Sequence, residues 1–355
     1  MLANLDNMQI DDGVVTPQVP LHHSRLRILV SIPAPELSAF IPGETREALE
    51  ELGDITVVAP ADLQSREAFA AAAGEAEVFI TAWGFPRLDA EHLALAPKLR
   101  CVLHAASSLH ALVSDDFWEA GIPISQSGAA MAPAVAELSL SFTLSLLRRI
   151  EQFDHQLRAG EPWEDARTVR RAREISGARI GVVGASRTGR RYIDVCRALG
   201  AEVDVYDPYL LASDPLAARS TSLQELFSRS DVIAIHAPAT RETEGLIGAA
   251  ELALLAEGSS IVNTARSTIV DMDALYSEVS SGRIDAALDV FDLEPLPTDD
   301  RWRSLQNVLL TPHIAGATVD SRRRAGRIVV DELRRFIAGD PLEHALARAD
   351  LERMG

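Results

Sequence analysis

A chain of 355 residues exceeds what one hydrophobic core usually organises, and its 47% hydrophobic content is enough for two. The formal net charge of −18 argues against nucleic acid and anionic membrane surfaces as partners, because both would repel the chain. Small molecules remain. Cys101 and Cys196 are far apart and form no disulfide framework, which suits a reducing compartment, the cytoplasm by default.

The stretch from Met1 to Pro20 is acidic and contains no Lys or Arg, so it does not read as a secretory signal. Residues 1–24 are expected to be a flexible tail, His22 and His23 with it. Short β-rich runs then alternate with helical segments: Arg27 to Val30, Ile55 to Val58, Val78 to Ile80 and Cys101 to Leu103. The run Val135 to Leu147 reads as a helix too short and too polar to span a bilayer. A second series of strands follows at Arg179–Val183, Val203–Tyr206, Val232–Ile235, Ile261–Asn263, Ala287–Val290 and Val308–Leu310. Such alternation predicts parallel sheets covered by helices, in two α/β units. A last helical stretch, Val319 to Ile337, stops at Ala338-Gly339-Asp340-Pro341. If it packs back on the first unit, that domain is discontinuous: residues 25–131 plus 318–355, enclosing a second domain at 132–317.

After the strand ending at Val183 comes Gly184-Ala185-Ser186-Arg187-Thr188-Gly189, then a helical segment. In a dinucleotide site the first glycine makes the tight turn, the second admits the pyrophosphate and the third lets helix pack on strand. Ser186 stands at the second position, where it is small and its hydroxyl can donate to a phosphate oxygen. A turn that binds nothing needs similar residues, but the next strand ends in Asp207, 18 residues after Gly189. That spacing suits an acceptor for the adenosine ribose hydroxyls, and a carboxylate there repels a 2′-phosphate. NAD is expected over NADP.

Three polar groups follow later strands of the second unit: Arg266, Glu294 and His313. A guanidinium fork holds a carboxylate bidentately in a way lysine cannot. A Glu beside a His favours the imidazolium, which suits an acid that protonates a carbonyl oxygen and a base in the reverse direction. Singly, each reads as readily as a structural hydrogen bond or a surface ion pair; together, behind a dinucleotide turn, they point to 2-keto acid chemistry. No metal site is expected.

The runs Gly184 to Gly189, Tyr206-Asp207-Pro208, His236-Ala237-Pro238, Val262 to Asp271, Ala287 to Pro297 and Thr311 to Gly316 resemble the NAD-dependent D-isomer-specific 2-hydroxyacid dehydrogenases. The resemblance covers most of the chain from about Arg100 onward. It implies that Arg266 binds and polarises the substrate, that His313 is the acid/base and that Glu294 is its partner. Asp289 matches an acidic position near the nicotinamide amide, and Arg187, Thr188, His236, Ala237, Pro238, Thr264 and Ala265 fall in the cofactor-facing runs. The resemblance further implies a flavodoxin-like first domain, a Rossmann-like second one, a cleft between them and a homodimer.

Departures from the family pattern are Ser186, Ser267 after the arginine, and Met131 where many members have Asn. His104-Ala105-Ala106-Ser107-Ser108 also stands where a Gly-Val-Gly type loop is usual, although the backbone amides of Ser107 and Ser108 can still meet a carboxylate. Trp83 is either a substrate wall or a packing aromatic, and His104 and His110 either flank the substrate loop or are structural. Glu294 disfavours a formate dehydrogenase, which pairs its His with Gln. The competing class is a non-enzymatic, NAD-sensing corepressor of the same fold.

Overall fold

The computed structural model describes residues 25–167 and 172–351, so the expected tail at residues 1–24 lies outside the described residues. The first unit is a five-stranded sheet of β1 (Leu26–Ser31), β2 (Gly53–Val57), β3 (Val78–Thr81), β4 (Cys101–His104) and β5 (Ile124–Gln126) in the order β2-β1-β3-β4-β5. The second contains β6 (Arg179–Val183), β7 (Glu202–Tyr206), β8 (Val232–Ile235), β9 (Ser260–Asn263), β10 (Asp285–Leu288) and β11 (Val308–Leu310). Its order is β11-β10-β9-β8-β6-β7. All strand pairs in both sheets are parallel. A single parallel bridge, Val205 to Ser220, carries the second sheet one step beyond β7. The runs of Val, Ile and Leu in the inner strands are buried because helices cover both faces, while those of the edge strands β2 and β11 are partly exposed.

The helices that bear on the site are α1 (Ala34–Phe40), α2 (Ala132–Arg148), α3 (Ile150–Arg158), α4 (Arg187–Ala198) and α5 (Val319–Ala338). α5 buries Ala325, Val329, Val330 and Leu333 in one core with Ile28, Val30, Phe40 and Leu103 of the first unit. Beyond α5 the chain stays there: Glu332 accepts hydrogen bonds from the amides of Glu343 (3.0 Å) and His344 (3.1 Å), and Ala345 bridges Ser125 of β5. α2 belongs to the other core, with Phe142, Leu146 and Leu147 packed among Ile180, Tyr192 and Ile193.

That helix corrects one expectation. With its leading turn it spans Gly128–Arg148, 21 residues whose most apolar 18-residue window has a mean hydropathy of 1.5, so length and composition alone would let it cross a membrane. Packing accounts for its apolar character: 56% of its most apolar window is buried inside the fold, and Thr143 hydrogen-bonds the Tyr192 hydroxyl at 2.6 Å.

Candidate active site

Because the second sheet is parallel, all its strands deliver their following residues to one edge, where open α/β sheets bind ligands. The chain steps from β6 to β7 on one side and to β8 on the other, so a crevice opens beside the Gly184–Gly189 turn. Gly184 has φ +97°, and a Cβ there would sit 2.5 Å from the Ala237 nitrogen. A Cβ on Gly189 would sit 2.1 Å from the Gly184 carbonyl oxygen. Both positions therefore demand glycine, and the turn is drawn tightly against the end of β8.

Ser186 is the N-cap of α4, its Oγ accepting from the Gly189 amide at 3.2 Å. An accepting hydroxyl still carries its proton, so the cap and a phosphate contact are compatible. The amides of Arg187 and Thr188 open the helix with its positive dipole end. Asp207 closes the other side: one carboxylate oxygen accepts the Ala185 amide (2.8 Å) and the other the Tyr209 amide (2.9 Å). A carboxylate has about four acceptor sites, which leaves lone pairs for a ribose diol. His236 is buried against Tyr192, ring centroids 4.9 Å apart, with no hydrogen-bond partner for Nε2 among the described residues. Burial drives its pKa down to about 3, so it stands neutral beneath the turn. Ala237 is buried with it, and the Pro238 carbonyl accepts from Thr243 at 2.6 Å. The Thr264 hydroxyl bonds Ser139 of α2 at 2.7 Å, fixing the end of β9, while Ala265 packs against the core. The glycine cradle, the helix start and the half-buried carboxylate fit an NAD dinucleotide.

Arg266, Glu294 and His313 follow β9, β10 and β11, three neighbours in the sheet. Asn263 shapes the first loop, accepting from the Ala265 amide and donating to the Arg266 carbonyl, both at 3.0 Å. The guanidinium donates to the Ala265 carbonyl at 2.7 Å. Burial lowers its pKa, and the charge of Glu294 opposes that shift, so the carboxylate acts on the arginine as well as on the histidine. An arginine remains cationic throughout.

His313 Nδ1 lies 2.6 Å from Glu294 Oε2, while Oε1 accepts the Phe291 amide at 3.0 Å. An ionised carboxylate only accepts, so Nδ1 is the donor and Nε2 is left for a second partner. The histidine backbone has φ +53°, a left-handed conformation that costs a non-glycine residue energy and must be held. Asp289 holds it. Fully buried, it accepts from the Thr311 hydroxyl and from the amides of Ile314 and Ala315, both at 2.9 Å. Three of its acceptor sites are thus committed to the histidine loop, and one is left for an amide donor. Among the described residues no group of three His, Cys, Asp or Glu side chains is placed to hold a metal ion.

Met131 reaches the end of the same loop: a Cβ on Gly316 would meet its Cγ at 3.3 Å. Ser107 and Ser108 follow β4 in a loop anchored by the Ser127 amide on the Ala106 carbonyl (2.9 Å), and hydrogen-bond to neither Arg266 nor His313 among the described residues. His104, below that loop, is buried; its Nδ1 meets the Thr81 hydroxyl at 2.9 Å and burial lowers its pKa to about 4, the Ser108 backbone opposing. Trp83 is 42% exposed beyond β3, packed edge-on to Phe40. Sequence reasoning missed Asn263, Thr311 and Arg322 as supports of the site. Asn263 and Thr311 lie inside the runs Val262 to Asp271 and Thr311 to Gly316, where polar side chains at strand ends were the available signal, whereas Arg322 gave none.

Residues 140–315 match the family model described as D-isomer specific 2-hydroxyacid dehydrogenase, NAD binding domain. Hydroxypyruvate reductase of Thermotoga maritima is 34% identical over 70% of this chain and 80% of its own. The chain belongs to the D-isomer-specific 2-hydroxyacid dehydrogenase family. D-3-phosphoglycerate dehydrogenase of Mycobacterium leprae is 36% identical over 81% of this chain, but the chain spans only 54% of that relative's length. A solved phosphoglycerate oxidoreductase from Rhizobium etli superposes with a TM-score of 0.73 at 30% identity, covering 90% of this chain and 98% of that one. The second unit is this dehydrogenase family's NAD-binding domain. Nothing in these likenesses favours a corepressor; the relatives named are dehydrogenases and reductases.

Substituting Asp207 by alanine is expected to narrow the preference of this protein for NADH over NADPH by about tenfold or more, the worth of a charge-assisted hydrogen bond. Titrating both cofactors by fluorescence checks it; equal affinities in the unaltered protein would remove the ribose assignment.

Proposed function

We propose that this protein is an NAD-dependent oxidoreductase interconverting a 2-hydroxy acid and a 2-keto acid. The observation that carries the reading is the 2.6 Å contact between His313 and Glu294, with Arg266 under the influence of the same carboxylate, at the same end of the strands as a turn built for a dinucleotide. NADH, when bound, supplies a hydride to a carbonyl carbon. Arg266 holds the substrate carboxylate and polarises the adjacent carbonyl. His313 gives its Nε2 proton to the carbonyl oxygen, and Glu294 offsets the charge on the imidazolium. In the oxidative direction Nε2 takes the hydroxyl proton. The first domain, residues 25–131 with 318–355, supplies the substrate side through Trp83, Ser107, Ser108 and Met131, and residues 132–317 hold the cofactor.

A panel of glyoxylate, hydroxypyruvate, pyruvate and bulkier 2-keto acids, followed by loss of NADH absorbance, tests the activity. Saturable reduction of at least one is expected; none, with NADH binding intact, would remove the reading.

We place the protein in the cytoplasm because both cysteines are buried free thiols, and read the −18 charge as excluding nucleic acid and membrane partners. We also read it as a homodimer. Ile150 and Leu157, one heptad apart on α3, are 54% and 46% exposed, and Trp163 beyond them is 65% exposed, an apolar arm that a second copy would cover. Sedimentation is expected to give a dimer that Trp163→Asp and Leu157→Asp together convert to monomer.

A further inference from the structure

Arg322, in the first turns of α5, is buried although charged, and it touches three segments: α1, the end of the His313 loop and the residues beyond β3. Its Nε donates to Glu36 of α1 at 2.9 Å, and its Nη1 donates to the Gly316 carbonyl, at the end of the His313 loop, at 3.3 Å. Its guanidinium carbon lies 4.9 Å from the centre of the Phe40 ring and 4.6 Å from that of Trp83. The planar cation is therefore stacked behind the aromatic side chain that the first unit presents beyond β3, with Ser321 bonding the same Gly316 carbonyl at 2.5 Å. A buried cation persists only when paired and hydrogen-bonded, and Glu36 and Gly316 meet that need.

We infer that Arg322 is a positioning residue which fixes Trp83 as one wall of the substrate site and locks that wall to the histidine loop. The wall so made selects 2-keto acids with an apolar substituent. The inference rests on the proposed keto-acid activity for its setting. Its chemistry follows from the stack. Trp83 packs edge-on with Phe40 and has the guanidinium over its ring, which leaves it 42% exposed. The cation behind the ring is already neutralised by Glu36, so it has no charge to spare for a phosphate or a second carboxylate. An uncharged side chain stacked on the open indole gains contact area and loses no hydration of its own. Because Nη1 is tied to Gly316, displacement of the wall is transmitted to the loop that aims His313.

The test uses binding, so that it stands whether or not turnover is seen. With the protein saturated with NAD⁺, calorimetry measures phenylpyruvate, glyoxylate and 3-phosphohydroxypyruvate. Phenylpyruvate is expected to bind at least about tenfold more tightly than either of the others. Trp83→Ala and Arg322→Leu are each expected to weaken phenylpyruvate by about tenfold, with a smaller loss for glyoxylate, which has no substituent to reach the ring. Combined, the two changes should cost no more than the larger one alone, as for residues acting as a unit. If Arg322→Leu does not fold, Arg322→Lys, which keeps the charge and gives up the planar stack, is measured instead with the same expectation. Tighter binding of the phosphorylated acid, or losses that multiply in the double variant, would overturn the inference. Failure of the NADH panel with these affinities as expected would instead count against the catalytic reading alone.

Discussion

His313→Ala is expected to lower kcat for keto-acid reduction by about 10²–10⁴-fold while leaving NADH affinity intact, since general acid catalysis is lost and the dinucleotide turn is untouched. The separation has a structural basis. The Gly184–Gly189 turn lies at the β6 end of the sheet and His313 follows β11 at the opposite edge, so the two loops share no hydrogen bond among the described residues. Steady-state kinetics with the best substrate of the panel and fluorescence titration of NADH check the two halves. A kcat within about tenfold of the unaltered protein would mean the proton comes from elsewhere. Replacing Glu294 by Gln probes the same pair more gently, because an amide oxygen can still accept from Nδ1 but no longer carries the charge that favours the imidazolium.

Arg266→Lys is expected to be nearly as costly, about 10²–10³-fold in kcat/KM. The substitution keeps a positive charge and removes the fork that fits a carboxylate with two parallel hydrogen bonds. It also disturbs the loop, because the guanidinium donates to the Ala265 carbonyl at 2.7 Å, a bond within the cofactor-facing run. NADH titration separates these effects: unchanged cofactor affinity with a raised KM and lowered kcat assigns the loss to substrate carboxylate and carbonyl. If Arg266→Lys keeps wild-type KM and kcat, the arginine is not the substrate anchor.

The parallel α/β architecture was legible because strands buried on both faces read as short runs of Val, Ile and Leu set between helical segments, and ten of the strands lie where such runs occur. β5 escaped because Ile124-Ser125-Gln126 is three residues with one apolar member; the C-terminal segment, bridging Ser125 from far along the chain, helps fix it in place. The candidate trio, Arg266, Glu294 and His313, could be read from strand-end placement and residue type. The parts that hold it could not. The resemblance offered Asp289 as an acid near the nicotinamide amide, but its bonds to Thr311, Ile314 and Ala315 depend on β10 and β11 lying side by side. Arg322 sits in the run Arg322-Arg323-Arg324 on an amphipathic helix, where a charged triplet reads as solvent-facing; only the approach of α1 and the β3 loop makes one of the three a buried stack. Ser186 shows the reverse case: a residue read for its phosphate contact is also the cap that starts its helix.

The most direct measurement of the central claim is the fate of a label. With NADH carrying deuterium at both C4 positions and the best keto acid of the panel, mass spectrometry and proton NMR of the 2-hydroxy acid product are expected to show one deuterium at C2 and none at other carbons. A product without deuterium at C2, formed while NADH is consumed, would contradict direct hydride transfer to the carbonyl carbon held between Arg266 and His313.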